Sequence, residues 1–203
     1  MIENNVEAPL KLKNYKNIKR VIDILISLSC LMALAIPFIL IALAIKIDSQ
    51  GPVFFRQLRV GKGGASFICY KFRSMYITAP QNCSASQLSN RQLMVTHIGR
   101  FLRKTSLDEL PQLYNVLRGD MSLIGPRPLI LEEKWIHNER MKFGIYALQP
   151  GITGLAQICG RNNISDSEKL YFDKYYLTNF SLWLDIKIMF GTLLYVLQQK
   201  DIL

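Results

Sequence analysis

The chain is poor in the residues that build metal and redox sites. It has only two histidines, His97 and His137, and four scattered cysteines with no Cys-x-x-Cys pair. These counts argue against a zinc framework. We expect reduced, mostly packed cysteines, as suits a protein that faces the cytosol.

Acidic residues are also scarce, with 15 Asp and Glu against 25 Lys and Arg, which gives a net charge of +10. Such a balance indicates an anionic partner. Nucleic acid is disfavoured because finger spacings, basic heptads and aromatic RNA-binding signatures are missing. Anionic lipid and phosphorylated substrates remain. A length of 203 residues suits one compact domain.

One apolar run, Ile24–Ile45, contains 22 consecutive uncharged residues. As a straight helix it would measure roughly 33 Å, enough to cross a bilayer core. Lys46 and Asp48 follow directly, which argues against a signal peptide. A spanning helix is one interpretation. Pro37 and the cations on both sides favour a re-entrant helix that bends and returns to the same face.

The middle of the chain carries strand signals. Residues 53–60 and 67–73 predict a β-hairpin around the glycine-rich turn 61–64. Period-two alternation places Lys71 and Arg73 on the same face of the second strand. The fold class predicted is α+β, mostly α: a single compact domain with a small β-hairpin and the re-entrant membrane helix.

Helical signals follow the hairpin. Thr96 is expected to cap a short helix that runs through Lys104. Leucines at helical spacing after residue 106 predict an amphipathic helix that opens with the acidic motif. Residues 182–197 form a strongly apolar helix, which either packs into the core or contacts a membrane interface.

Two adjacent acids, Asp108 and Glu109, stand at the start of the predicted amphipathic helix. With Ser106 they fit a capping box, which is a structural interpretation. In a functional interpretation the helix dipole favours their anionic form, so that Asp108 is an ionised nucleophile or a metal ligand. About 100° separates adjacent residues on a helix, so the two acids are expected to have different roles.

Arg127 lies between two prolines, Pro126 and Pro128. The prolines restrict the backbone on both sides, and a rigidly held guanidinium suits the planar recognition of phosphate oxygens. With Arg103 and the acid pair, Arg127 becomes a candidate phosphate ligand.

Several segments together resemble the bacterial sugar transferases called monotopic phosphoglycosyl transferases, in their short form. Matching segments cover nearly the whole chain after the first dozen residues. They are 19–23 (KRVID), 51–57 (GPVFFRQ), 71–75 (KFRSM), 106–112 (SLDELPQ), 119–128 (GDMSLIGPRP), 150–154 (PGITG) with 160–161, and 181–185 (SLWLD).

The resemblance implies transfer of a sugar 1-phosphate from a UDP-sugar to undecaprenyl phosphate, with release of UMP. The product, undecaprenyl-diphospho-sugar, would initiate a surface polysaccharide or glycoconjugate pathway. By carry-over, Asp108 attacks the phosphorus through an aspartyl phosphosugar intermediate and lies near Mg²⁺. Glu109 assists the incoming lipid phosphate, and Arg103 and Arg127 bind phosphates.

Further candidates for phosphate or substrate contacts are Lys71, Arg73, Gln157 and Arg161. The predicted organisation is a basic cytoplasmic segment (1–20), the re-entrant helix (21–47) and a catalytic domain with membrane-apposed helices (48–203). The resemblance places the protein on the cytoplasmic face of the bacterial inner membrane. Two alternatives are a phosphohydrolase that uses the same acid pair and a non-catalytic scaffold that binds anionic lipid.

Overall fold

The computed structural model describes residues 10–80, 91–160 and 164–198. The helices are α1 (Leu10–Ala33), α2 (Ala35–Asp48), α3 (His97–Lys104), α4 (Gln112–Arg118), α5 (Lys134–Lys142), α6 (Leu155–Gly160), α7 (Asp166–Thr178) and α8 (Leu182–Gln198). The strands are β1 (Phe54–Val60), β2 (Ser66–Phe72), β3 (Ser122–Ile124) and β4 (Gly151–Thr153). Short 3₁₀ turns cover Lys62–Gly64, Arg91–Met94, Leu107–Glu109 and Ile145–Ala147. The mostly helical class with a small hairpin is confirmed.

Helices α1 and α2 form a bent pair that contains the apolar run. Tyr15–Ala33 and Ala35–Asp48 meet at an angle of 63°. In the described part of the chain no single helix is long and apolar enough to cross a membrane, whereas this pair meets both conditions together. The break falls at Leu34 because Pro37 has no N–H to donate to Ala33 and its ring would collide with that carbonyl. The geometry is compatible with the predicted re-entrant element.

The predicted hairpin is confirmed to within a residue. Strands β1 and β2 pair antiparallel, from Phe54 opposite Phe72 to Val60 opposite Ser66. Phe72 is buried against Ile45 of α2 and Leu102 of α3. The hairpin is therefore joined to the bent pair through a shared apolar cluster.

A second small sheet was not predicted. Strands β3 and β4 pair in parallel, with Ser122 opposite Gly151 and Ile124 opposite Thr153. Each strand has three residues, too few for periodicity to show. The sheet packs on α8 and sets the direction in which the chain leaves β3 towards residue 127.

A buried polar cluster joins α1 to the C-terminal helices. The Asp185 carboxylate of α8 accepts hydrogen bonds from Tyr15 (2.5 Å), Lys19 (2.6 Å) and Tyr176 (2.6 Å). One turn further along α1, Asp23 accepts from the backbone N–H of Leu123, at the start of the second sheet (3.1 Å). These bonds hold the helix that leads into the apolar run against the rest of the domain.

Helix α8 packs into the core, and contact of this segment with a membrane interface stays a prediction. Ile188 is fully buried in the core cluster around Tyr176. On the same helix, Trp183 and Phe190 are 65% and 60% exposed. The helix therefore packs on the core with one face and presents aromatic side chains on the other.

Candidate active site

The two acids lie in a 3₁₀ turn, Leu107–Glu109, between α3 and α4. Thr96 caps α3 as predicted, since its side chain accepts from the Gly99 N–H. The capping box at Ser106 is wrong. Ser106 has φ 57° and makes no side-chain cap hydrogen bond, whereas an N-cap residue needs an extended backbone.

The helix after the acids starts later than expected, at Gln112, with Pro111 at its N-cap position. The acids therefore precede α4 and do not open it. Leu107 and Leu110 anchor the turn, because both pack on the cluster around Phe72. Core contacts on both sides of the acids therefore fix the turn that carries them.

Glu109 is bound by two cations from different parts of the chain. Its Oε1 accepts from Lys71 Nζ of β2 at 2.6 Å and from Arg127 Nη2 at 3.1 Å. Burial alone would raise the pKa of Glu109, but Lys71 and Arg127 outweigh it and hold that pKa well below its usual range. The Glu109 carboxylate in turn raises the pKa of Arg127. Glu109 is therefore a fixed anion that orients both cations.

Asp108 is in the opposite situation. Among the described residues no hydrogen bond or ion pair reaches its carboxylate, although the side chain is partly buried. Burial raises the pKa of Asp108; Lys71 opposes the rise and the Glu109 carboxylate adds to it. The neighbouring acids thus differ in their contacts, and their different roles stay a prediction. Glu109 is engaged by cations, and Asp108 has oxygens available for a ligand.

These surroundings fit a magnesium ion at Asp108. Among residues 10–80, 91–160 and 164–198, no group of three or more His, Cys, Asp or Glu side chains forms a metal cage. Mg²⁺ does not need one, since it is commonly held by one or two carboxylates together with water and substrate phosphates. A partly buried carboxylate that accepts no hydrogen bond from the described residues is a candidate for such a ligand.

The loop that carries Arg127 is fixed by the second sheet. Gly125 N–H donates to the Thr153 carbonyl and Gly151 N–H donates to the Pro126 carbonyl, both at 2.9 Å. A Cβ on Gly151 would lie 2.1 Å from the nitrogen of Gly125, so only glycine permits this approach. The Arg127 side chain extends from the loop to Glu109 and is 46% exposed. The predicted rigidity thus has a structural basis beyond the prolines.

Two other predicted site residues, Arg103 and Arg73, have different contacts. Arg103 donates from Nε to Ser74 Oγ at 2.9 Å. Arg73 is 5% exposed and donates to the carbonyls of Ser49 (2.6 Å) and Gln50 (2.8 Å), just after α2. The structure therefore does not bring Arg73 to the acid pair with Lys71. Lys71 lies within β2, whereas Arg73 follows the last residue of that strand and closes the end of the bent helix pair.

Gln157 and Arg161 remain predictions. Gln157 lies on α6, and both polar atoms of its amide are buried without a hydrogen-bond partner in the part of the chain that the structure describes. Arg161 lies outside the described residues.

Two arginines that support the site were missed. Arg59 of β1 donates to the Pro128 carbonyl (3.0 Å), and burial lowers its pKa with the charge of Arg127 as the next cause. Arg140 of α5 donates to the Arg127 carbonyl (2.8 Å). Each is one of many cations in the sequence, and no local pattern separates it from the others.

The Asp108 carboxylate lies next to Glu109, whose carboxylate binds two cations, and this arrangement suits a phosphate-bearing substrate. Residues 14–199 match the model of the family described as bacterial sugar transferase. The chain belongs to this family.

Individual relatives cover the chain to different extents. The chain is 39% identical to an undecaprenyl-phosphate galactose phosphotransferase of Salmonella typhimurium, over 98% of this chain and 43% of the relative. It is 42% identical to the uncharacterized sugar transferase EpsL of Bacillus subtilis, over 91% of this chain and 90% of that protein. With the exopolysaccharide production protein ExoY of Sinorhizobium fredii it shares 38% identity, over 86% and 83% of the two chains. The chain spans less than half the length of the Salmonella relative.

Proposed function

We propose that the protein transfers a sugar 1-phosphate from a UDP-sugar to undecaprenyl phosphate and releases UMP. The observation that supports this most is the difference in contacts between the two acids. No hydrogen bond or ion pair from a described residue reaches the Asp108 carboxylate, whereas Glu109 is bound by Lys71 and Arg127. The Salmonella relative, an undecaprenyl-phosphate galactose phosphotransferase, belongs to the same reaction class.

The reaction proceeds in two displacements at one phosphorus. The Asp108 carboxylate attacks the phosphorus attached to the sugar, the bond from that phosphorus to the bridging oxygen breaks, and UMP leaves with the electron pair. An oxygen of the lipid phosphate then attacks the aspartyl phosphosugar. The bond to Asp108 breaks, which regenerates the carboxylate and forms the lipid diphosphate sugar.

Lys71 and Arg127 make the first step possible electrostatically. An anionic carboxylate is repelled by an anionic diphosphate unless cations lie beside the phosphoryl oxygens. Mg²⁺ bound at Asp108 would neutralise further charge on those oxygens. Glu109 contributes by holding the two cations in place. Its low pKa makes it a weak base, and a phosphate monoester with a second pKa of about 6 has little need of one.

The exposed apolar surface supports a bilayer location. The large apolar side chains exposed on α1 and α2 include Leu25, Leu28, Met32, Ile36 and Leu40. The acceptor is a lipid, so an enzyme that enters the bilayer with a bent helix pair keeps its site at the depth of the lipid phosphate. We place the protein on the cytoplasmic face of the inner membrane, where the UDP-sugar donor is available.

The test is UMP release from a panel of UDP-sugars with undecaprenyl phosphate and Mg²⁺. Asp108→Asn should lower UMP release and lipid product by about 10³-fold or more, as expected when a nucleophile is removed. Glu132→Gln, an exposed acid away from the site, is the matched control and should leave the rate unchanged. EDTA should abolish turnover and added Mg²⁺ should restore it.

The same assay without the lipid acceptor separates the proposal from hydrolysis. A transferase releases about one UMP per enzyme and stops at the covalent intermediate, whereas a phosphohydrolase continues and liberates sugar phosphate. Near-normal turnover of Asp108→Asn would disprove the nucleophile assignment. A failure of every UDP-sugar to react would remove the proposed activity.

A further inference from the structure

A second cationic site lies where α1 meets the hairpin turn and the segment before β4. It is a cavity of about 270 Å³. Four of its lining residues are cationic and three are neutral with a polar group: Lys16, Lys19, Arg20 and Lys62, with Asn17, Gln149 and Tyr176. Within the described ranges no carboxylate lines it, and none of the residues of the acid-pair site does so.

Only one of the four cations has a carboxylate partner in the described structure. Lys19 is neutralised by Asp185 at 2.6 Å. Arg20 donates one hydrogen bond from each terminal nitrogen, at 2.5 Å and 2.9 Å, to two backbone carbonyls at the end of α4, and these carbonyls supply no formal counter-charge. Three positive charges around one cavity therefore have no counter-ion among the described residues.

Two of these cations have donor capacity to spare. The polar contact of the Lys16 ammonium is a long one, 3.4 Å to the Ala147 carbonyl. Lys62 lies exposed in the hairpin turn, and no ion pair reaches it within residues 10–80, 91–160 and 164–198. Like charges that face one cavity repel each other. A bound anion would relieve that repulsion and accept hydrogen bonds from both ammonium groups.

The cavity is separate from the acid pair and lies near the membrane-entering part of α1. Lys71 is five residues along β2 from Ser66, beside the turn, which is a distance of about 17 Å. Arg20 precedes the apolar run at Ile24 by four residues, or about 6 Å along the helix. If the bent pair enters the bilayer, the cavity is at the level of the lipid headgroups.

We propose that this cavity binds a phosphate group, carried by the headgroup of an anionic phospholipid or supplied as free phosphate. The double variant Lys16→Gln/Lys62→Gln tests it in phosphatidylcholine nanodiscs. The control is Lys134→Gln/Lys142→Gln, which removes the same charge from α5. Thermal unfolding is followed with and without inorganic phosphate, and again in nanodiscs that contain phosphatidylglycerol.

We expect at least one probe to raise the Tm of the wild type by about 4 °C at saturation. The double variant should lose more than half of that rise, and the control should keep it. Inorganic phosphate can also bind at the acid pair. The part of the Tm rise that the double variant loses and the control variant keeps is therefore the part that comes from the cavity. A rise with phosphatidylglycerol alone identifies a lipid headgroup, and one with inorganic phosphate alone identifies a free anion.

The proposal is overturned if neither probe stabilises the wild type, or if the double variant keeps the full rise. Lys62→Gln alone guards against misfolding, because it changes an exposed turn residue. It should lose part of the same rise while unfolding at the wild-type Tm when no probe is added.

Discussion

Replacing Arg140 by methionine removes a guanidinium that joins α5, α7 and the loop of Arg127. Arg140 donates to Asp173 Oδ2 through Nε (2.9 Å) and Nη2 (2.6 Å), and through Nη1 to the Arg127 carbonyl (2.8 Å). The side chains of Arg140 and Asp173 are only 4% and 3% exposed. One substitution therefore breaks a buried ion pair and a support of the candidate site together.

The expected loss of stability is about 3 kcal/mol at neutral pH. Removing one partner of a buried pair costs about 3–5 kcal/mol, because the remaining charge is uncompensated. The lower end applies because Asp173 can take up a proton. Burial already raises the pKa of Asp173 while Arg140 opposes the rise. Without Arg140 that pKa rises further.

The loss of stability in Arg140→Met is expected to depend on pH. An acid whose pKa is higher in the folded than in the unfolded state destabilises the folded state when the pH is above both values. That destabilisation disappears as the pH falls below the unfolded-state pKa. The stability deficit of Arg140→Met should therefore shrink as the pH is lowered from 7.5 towards 5.

A double variant separates the effect on stability from the effect on the position of Arg127. Arg140→Met/Asp173→Asn removes the unpaired carboxylate and should recover most of the lost stability. It does not restore the hydrogen bond to the Arg127 carbonyl. Hydrogen bonds from charged groups contribute about 1.5–3 kcal/mol, so kcat/KM for UMP release should stay about tenfold or more below that of the wild type.

Denaturant unfolding in detergent and the UMP-release assay measure the two effects. If the free energy of unfolding of Arg140→Met lies within about 1 kcal/mol of the wild-type value, which is the contribution of a single neutral hydrogen bond, the burial reasoning is wrong. If the double variant regains full activity, Arg140 has no part in holding Arg127.

Two further predictions concern the site and the membrane element. Lys71→Met removes the 2.6 Å contact with Glu109 and should lower kcat/KM about 10- to 100-fold; an unchanged rate would contradict the role of Lys71 beside the phosphoryl oxygens. Pro37→Ala restores an N–H donor for the Ala33 carbonyl and should reduce the bend. A cysteine in the N-terminal tail, with the native cysteines replaced, should stay unlabelled by an impermeant thiol reagent on intact cells and become labelled in Pro37→Ala. Labelling without that substitution would contradict the re-entrant topology.

Much of the fold could be predicted because its signals are local. The glycine-rich turn between two β-prone runs predicted the hairpin, and Thr96 predicted the start of α3. Pro37 predicted a break, which falls at Leu34 because a proline disturbs the carbonyl four residues before it. Each of these depends on residues within one turn or one strand pair.

The errors arose where a distant contact overrides a local pattern. Ser106 and Glu109 have capping-box spacing, yet Ser106 takes a left-handed conformation. Glu109 accepts from Lys71 and Arg127, 38 and 18 residues away along the chain. A carboxylate that satisfies two distant cations is not available to cap its own helix.

The sequence by itself determined the class of chemistry: an adjacent acid pair, a proline-flanked arginine and an apolar run beside a basic body. It also predicted that the two acids have different roles, since neighbouring residues on a helix point in different directions. Only the tertiary structure showed which of the two acids the cations bind. The hairpin brings Lys71 and the second sheet brings Arg127 to Glu109, so the Asp108 carboxylate is left without a partner among the described residues. Such an assignment depends on electrostatic contacts between segments that the chain order keeps apart.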